Sequence, residues 1–224
     1  MEENRKGTGV FYAVVGVATL VVAIIGATFA YFSATAATDS TNDIKGTTAE
    51  AASLGLHVSK VVPTGLSTEK LVPLASNTLM DQALKANCVD SKGYAACQVY
   101  KIEVTSTTTE DVNVTPQVTL TDDGNNFENL KFQLLSGTSA TDFAIDSTNM
   151  TAPVGDGAPT DLIARKANSK APSVWYFVVW LEEAATANQD EAGKSFGGTV
   201  SASATDVLGN SISGQLTATF TSGA

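Results

Sequence analysis

The sequence predicts an all-β protein: an antiparallel two-sheet sandwich with one short helix and a hydrophobic export or anchor helix at the N-terminus. Three observations predict it. Apolar and polar residues alternate with a period of two in run after run from Leu54 onward. Gly-, Asn- and Asp-rich turns separate the runs. An uncharged apolar stretch, Val10 to Phe32, stands apart at the N-terminus.

The balance of residues narrows the function before any motif is read. Of 224 residues 43% are hydrophobic and 16% charged, which supports a sizeable core and excludes a wholly disordered chain. The formal net charge is −10. A duplex-binding protein needs a basic face to neutralise phosphates, so no nucleic-acid partner is expected. The chain has one His and two Cys. That inventory excludes a four-ligand zinc site of His and Cys alone, and it makes any Ser-His-Asp or Cys-His mechanism depend on His57.

Taken in order, the N-terminal segment reads as an export signal. Arg5 and Lys6 form a small basic region, diluted by Glu2 and Glu3. The apolar run of about 23 residues is long enough to span a bilayer as a helix. Ala27-Thr28-Phe29-Ala30 supplies the small residues a signal peptidase requires, with cleavage between Ala30 and Tyr31. Two readings stay open: a signal cleaved by that peptidase during export, and a permanent membrane anchor through residues 10–32. Both place the rest of the chain outside the cytoplasm. A pilin-type cut after Gly9 is disfavoured, because Val14 stands where that pattern has Glu. Residues 31–52 are Ser-, Thr- and Ala-rich and read as a flexible lead segment, a candidate donor strand. Residues 53–224 form the sandwich domain.

Within that domain Leu54, Leu56 and Val58 begin the alternation, and Tyr100, Ile102 and Val104 continue it. Val112, Val114, Pro116, Val118 and Leu120 give a third strand. Pro116 lacks a ladder donor, so that strand is expected at an edge or bulged. Leu130, Phe132 and Leu134 give a fourth. Val174 to Leu181 is apolar at every position, as in a strand covered on both faces. Trp175 and Trp180 then point to opposite faces, either both into core or one into a contact surface. Phe196, Val200, Ala202 and Ala204 give another strand, and Ile212, Leu216, Ala218 and Phe220 the last. Turns are expected at 123–126, Gly155-Asp156-Gly157, Gly197-Gly198 and Leu208-Gly209-Asn210. One helix fits Thr78 to Lys85, with Leu79, Met80, Ala83 and Leu84 on one face and Ser76 or Asn77 as N-cap.

The chemical candidates are few. Cys88 and Cys97 flank the turn sequence Asp90-Ser91-Lys92-Gly93 and read as a disulfide closing a small loop. No Cys-x-x-Cys redox motif is present. His57 falls on the polar side of its strand. Asp122, Asp123 and Asn125 form a plain turn or a weak calcium loop that does not meet the EF-hand pattern. Glu182-Glu183 and Asp190-Glu191 are acid–base candidates or solvated loop charges. Asn113 and Asn149 begin short glycosylation sequons. No catalytic, cofactor or metal site is expected.

Gly26-Ala27-Thr28-Phe29-Ala30-Tyr31-Phe32-Ser33 resembles the signal of the TasA/camelysin family of Gram-positive bacteria, cut by a SipW-type signal peptidase. Ser53-Leu54-Gly55-Leu56-His57-Val58 stands where that family has its first strand, and the likeness covers residues 10–60. It implies a jelly-roll subunit of extracellular biofilm-matrix fibres, joined when the N-terminal segment of one copy pairs as a strand with the next. Here that assembly segment runs from Tyr31 and Phe32 to about Ile44. The chain departs from the family in its cysteine pair and in lacking Lys-rich insertions. The function expected is therefore a non-enzymatic surface or matrix protein that associates with itself or with other surface proteins. A membrane-anchored adhesin or binding module of the same fold is the alternative.

Overall fold

The computed structural model of the chain describes residues 54–66, 70–75, 77–121, 127–183, 191, 194–206, 209–212 and 216–222. The export segment, the Ala30–Tyr31 cut, the assembly segment Tyr31, Phe32 and Ile44, the turn at 123–126 with Asp122 before it, and Asp190 lie outside them. The described residues all fall in one compact unit.

The described elements are β1 (Leu54–Val62), α1 (Asn77–Lys85), β2 (Gln98–Ser106), β3 (Val112–Thr121), β4 (Leu130–Ser136), β5 (Ala144–Ile145), β6 (Val154–Gly155), β7 (Thr160–Asp161), β8 (Arg165–Ala167), β9 (Ser173–Leu181), β10 (Gly197–Thr205) and β11 (Leu216–Thr221). They make two antiparallel sheets. The first runs β1-β2-β9-β4-β5 with β6 also on β4, and the second runs β11-β10-β3-β7 with β8 also on β3. Alternation builds the core between them. Leu56, Ile102 and Trp175 of the first sheet join Val118, Val200 and Phe220 of the second in one buried cluster.

Seven long strands carry the architecture: β1-β2-β9-β4 over β11-β10-β3. This is the A-B-E-D over G-F-C order of a constant-type immunoglobulin sandwich. The order differs from the jelly roll that the resemblance implies, with its eight strands in two Greek keys. Residues 63–97 separate β1 from β2, yet the chain returns to the same sheet. Leu56 pairs with Val104 and Val58 with Ile102, and all four bury toward the same interior.

Three local expectations are corrected. β3 is not an edge strand: β10 pairs with it from Asn113 to Thr121. Its other side pairs with β8 up to Val114 and with β7 from Gln117. The Leu162 N–H donates to the Pro116 carbonyl (2.7 Å), so the proline nitrogen faces that same side. The missing donor falls where the partner strand is interrupted. Gly197-Gly198 is strand, not turn; a Cβ on Gly198 would lie 2.3 Å from the Phe220 ring, so the glycine makes room for that ring. Leu79 is exposed, while Met80, Ala83 and Leu84 are buried as expected. The turn at 155–157 holds, and Gly157 and Gly209 are both at positive φ; Leu208 lies outside the described residues. The sequence did not anticipate the short strands β5 to β8.

Candidate functional site

β9 is the centre of the first sheet; its inner face is buried throughout and its outer face at Val178 and Trp180, while Val174 and Tyr176 are half-buried. Trp175 points into the core between the sheets, where its indole N–H donates to the Ile163 carbonyl (2.7 Å). Trp180 points the other way, into a second buried cluster with Val62, Met80, Leu84, Val99 and Val178. Both are core residues.

The second cluster is built by the excursion between β1 and β2. α1 lies across the sheet with Met80, Ala83 and Leu84 inward. The helix ends in a Schellman motif: the Cys88 N–H donates to the Ala83 carbonyl (2.7 Å) and the Asn87 N–H to that of Leu84 (3.1 Å). Asn87 takes the left-handed conformation this needs, at φ 54°. Cys88 is then bonded to Cys97, at the threshold of β2, with a Cα–Cα distance of 4.8 Å. Between them the Asp90 carboxylate accepts the amides of Lys92 (2.9 Å) and Tyr94 (2.7 Å), forming the expected turn. The disulfide ties the helix end to the sheet.

Beside α1 this cover is incomplete. A cleft of about 460 Å³ opens between the helix and the segment after β4. Trp180, Met80 and Phe143 give it apolar walls, and Asp81, Lys85, Gln133, Ser147 and Thr151 are polar residues that line it. Gln133 is buried and donates through Nε2 to the Met150 carbonyl (2.7 Å). The volume suits a small molecule.

The remaining candidates are dispersed. His57 is half-buried on the outer face of the first sheet, opposite Glu103 in register. Glu191 is not a solvated loop charge. It is buried, and its carboxylate accepts the Glu128 amide (2.5 Å) and the Asn129 side-chain N–H (3.0 Å), pinning the entry to β4. Glu182 and Glu183 anchor by backbone, their amides donating to Asn129 and Leu74 carbonyls (both 2.9 Å). Asn113 sits half-buried in β3, and Asn149 is exposed with its amide on Asp146 (2.7 Å). His57, the cysteines and Glu191 do not converge on one site. Among the described residues no group of three or more His, Cys, Asp or Glu side chains could hold a metal ion. Among them, too, no helix is long and apolar enough to cross a membrane. The cleft was not legible in the sequence, since its walls come from four separate stretches, in α1, β4, residues 143–153 and β9.

No family model and no curated protein matches the chain. Among solved structures it is similar to the N-terminal domain of PorA, over 74% of this chain and 96% of that one, at 10% identity and a TM-score of 0.30. A likeness at that level carries no argument about fold or function.

Proposed function

We propose that this chain is an exported, non-enzymatic structural protein of the cell surface or biofilm matrix, whose subunits join by strand addition into fibres. The observation that carries the reading is the Cys88–Cys97 bridge. Such a staple persists in oxidising compartments, and here it follows an N-terminal stretch with the makings of an export signal. A sandwich with unclosed sheets supports strand addition, because each edge presents a row of backbone donors and acceptors. The resemblance at residues 26–33 and 53–58 points the same way. Size-exclusion chromatography with light scattering tests the reading. Residues 31–224 are expected to form oligomers or fibres. Residues 46–224, which keep every described element, are expected to stay monomeric. Monomer for both, across a wide concentration range, removes strand addition.

A second reading is a membrane-anchored binding module, favoured by the cleft beside α1. Mass spectrometry of the mature N-terminus separates the two. A chain starting at Tyr31 fits release and assembly, and an intact Val10–Phe32 fits an anchor.

A further inference from the structure

The cleft beside α1 holds polar groups that the fold leaves unused. Gln133 of β4 lines it, next to Val178 of β9 in register. The residue is only 5% exposed, and an amide so buried ordinarily bonds at both of its ends. One end is bonded: Nε2 donates to the Met150 carbonyl (2.7 Å), which makes Oε1 the other. Oε1 accepts nothing from the described residues, yet it is not sealed inside the protein. The open space at Gln133 is the cleft, so a buried acceptor faces it without a donor.

The helix brings two charges to the same space. Asp81 and Lys85 stand four residues apart on α1, and both are exposed and line the cleft. Side chains at that spacing share a helix face, with Cβ atoms about 5–6 Å apart. Among the described residues neither forms an ion pair, with the other or elsewhere. Ser147 and Thr151 add hydroxyls from the opposite wall. Met80, Phe143 and Trp180, all buried, supply the apolar surface. A sugar would use the hydroxyls and Gln133 and leave both charges idle. A wholly apolar molecule would cover Oε1 without giving it a donor. A zwitterion with an apolar body uses every group.

We infer that the cleft binds a dipeptide with both ends free and apolar side chains. Asp81 takes the ammonium, Lys85 takes the carboxylate, and Gln133 Oε1 accepts the peptide N–H. Consecutive Cα atoms lie about 3.8 Å apart, so the charged ends of a dipeptide are spaced much as Asp81 and Lys85 are. The volume of about 460 Å³ is within the range of small-molecule pockets, about 300–1,000 Å³. The inference rests on the binding-module reading above and needs neither an anchor nor strand addition.

Calorimetric titration of the full chain in mild detergent tests it, with four probes: leucyl-leucine, its N-acetylated form, its C-amidated form and maltose. Leucyl-leucine is expected to bind, and each capped form to bind about tenfold more weakly, the loss of one charge-assisted contact. Lys85→Ala is expected to weaken leucyl-leucine about tenfold and to leave the C-amidated form unchanged. Asp81→Ala is expected to do the same with respect to the N-acetylated form. Both side chains are exposed, so neither change disturbs the core. Ser147→Trp, also at an exposed position, fills the mouth of the cleft and is expected to abolish binding with the unfolding midpoint unchanged. Capped forms that bind as tightly as the free dipeptide, or binding of maltose alone, overturn the ligand class and leave the binding-module reading standing. Binding undiminished by Ser147→Trp places the ligand elsewhere and overturns the inference. No binding of any probe at millimolar concentration overturns the inference and the binding-module reading together.

Discussion

The outer face of the first sheet has two halves, built on the same strands a few residues apart. In one half the outward positions are His57 and Ser59 of β1, Lys101 and Glu103 of β2, and Val174 of β9, all half-buried. Lys101 and Glu103 form an ion pair there. In the other half Val62, Val99, Val178, Trp180 and Leu135 are buried in one cluster with α1 and the disulfide, joined on β4 by Gln133, buried, and Lys131, half-buried. Tyr176 marks the boundary, its ring 4.9 Å from that of Phe143. Pairing and twist are shared by the two halves. What differs is whether a further segment of chain is held over the face, and the residue types at the outward positions follow that cover. A β-sandwich needs only one face of each sheet buried, so the second core is an addition to the fold.

The largest effect that separates the halves is expected from Trp180→Ala. Large aromatic truncation in a core costs about 3–5 kcal/mol. Here the low end applies, because the cleft already borders the indole and the loss enlarges a space open to water. Trp175→Ala, in the enclosed core and with a hydrogen bond to lose, is expected at the high end or beyond the limit of folding. Urea unfolding of both variants checks the order. Equal losses would mean that the second core is as tightly packed as the first.

Removing the staple comes next. By the chain-entropy relation a loop of this length stabilises by about 2–3 kcal/mol. With Cys88→Ala and Cys97→Ala the loss is expected to be uneven. Hydrogen exchange should quicken in residues 77–97 and stay slow in β2, β9 and β10. Uniform acceleration across all strands would make the covered half part of a single cooperative unit with the sandwich.

The sequence foretold this contrast in part. The unbroken apolar run at 174–181 requires cover on both faces, and the two tryptophans on opposite sides follow from strand period alone. The cysteine pair and its turn were legible because Asp90 and Gly93 are local signals. What forms the cover was not legible. Leu79 looks like a face residue by helical spacing, yet the helix rolls Met80, Ala83 and Leu84 onto the sheet and leaves it out. The strand order was not legible for a similar reason. Alternation records which face of a strand is buried, not which strand lies beside it, so the β1-β2-β9-β4 order and the divided partner beside Pro116 came only with the structure. The burial of Glu191 depends on amides 62 and 63 residues away, a distance at which no local pattern speaks.

A smaller effect is expected in the open half. The Lys101–Glu103 pair has both side chains 28% exposed. Pairs at such exposure couple by about 0–1 kcal/mol. A double-mutant cycle with Lys101→Ala and Glu103→Ala should return a coupling in that range, and His57→Ala should change stability by about 0.5 kcal/mol or less. A coupling well above the range would show that this half is as shielded as its neighbour.

The smallest effect concerns the loop that carries Phe143 to the boundary, and it depends on pH. Asp142 holds that loop. Its carboxylate accepts the Ser139 amide (2.6 Å), the Ser139 hydroxyl (2.9 Å) and the Thr138 amide (3.1 Å). The Ser139 bonds, with help from Thr138, hold its pKa below the usual 3.8, because they favour the charged form. A carboxyl whose folded pKa is depressed lends stability that is fully present above its unfolded value and lost as pH falls through the lower, folded one. The window therefore lies below about pH 4. The group is fully exposed, so the loss is expected to be local: the amides of Thr138 and Ser139 gain exchange in that window while those of β2 and β9 do not. Asp142→Asn should raise exchange at these two amides near neutral pH and abolish the acid transition there. A transition that persists in this variant would place the titrating group elsewhere, and the loop would then owe its shape to Gly137, where a Cβ would meet the Asp142 carbonyl at 2.4 Å.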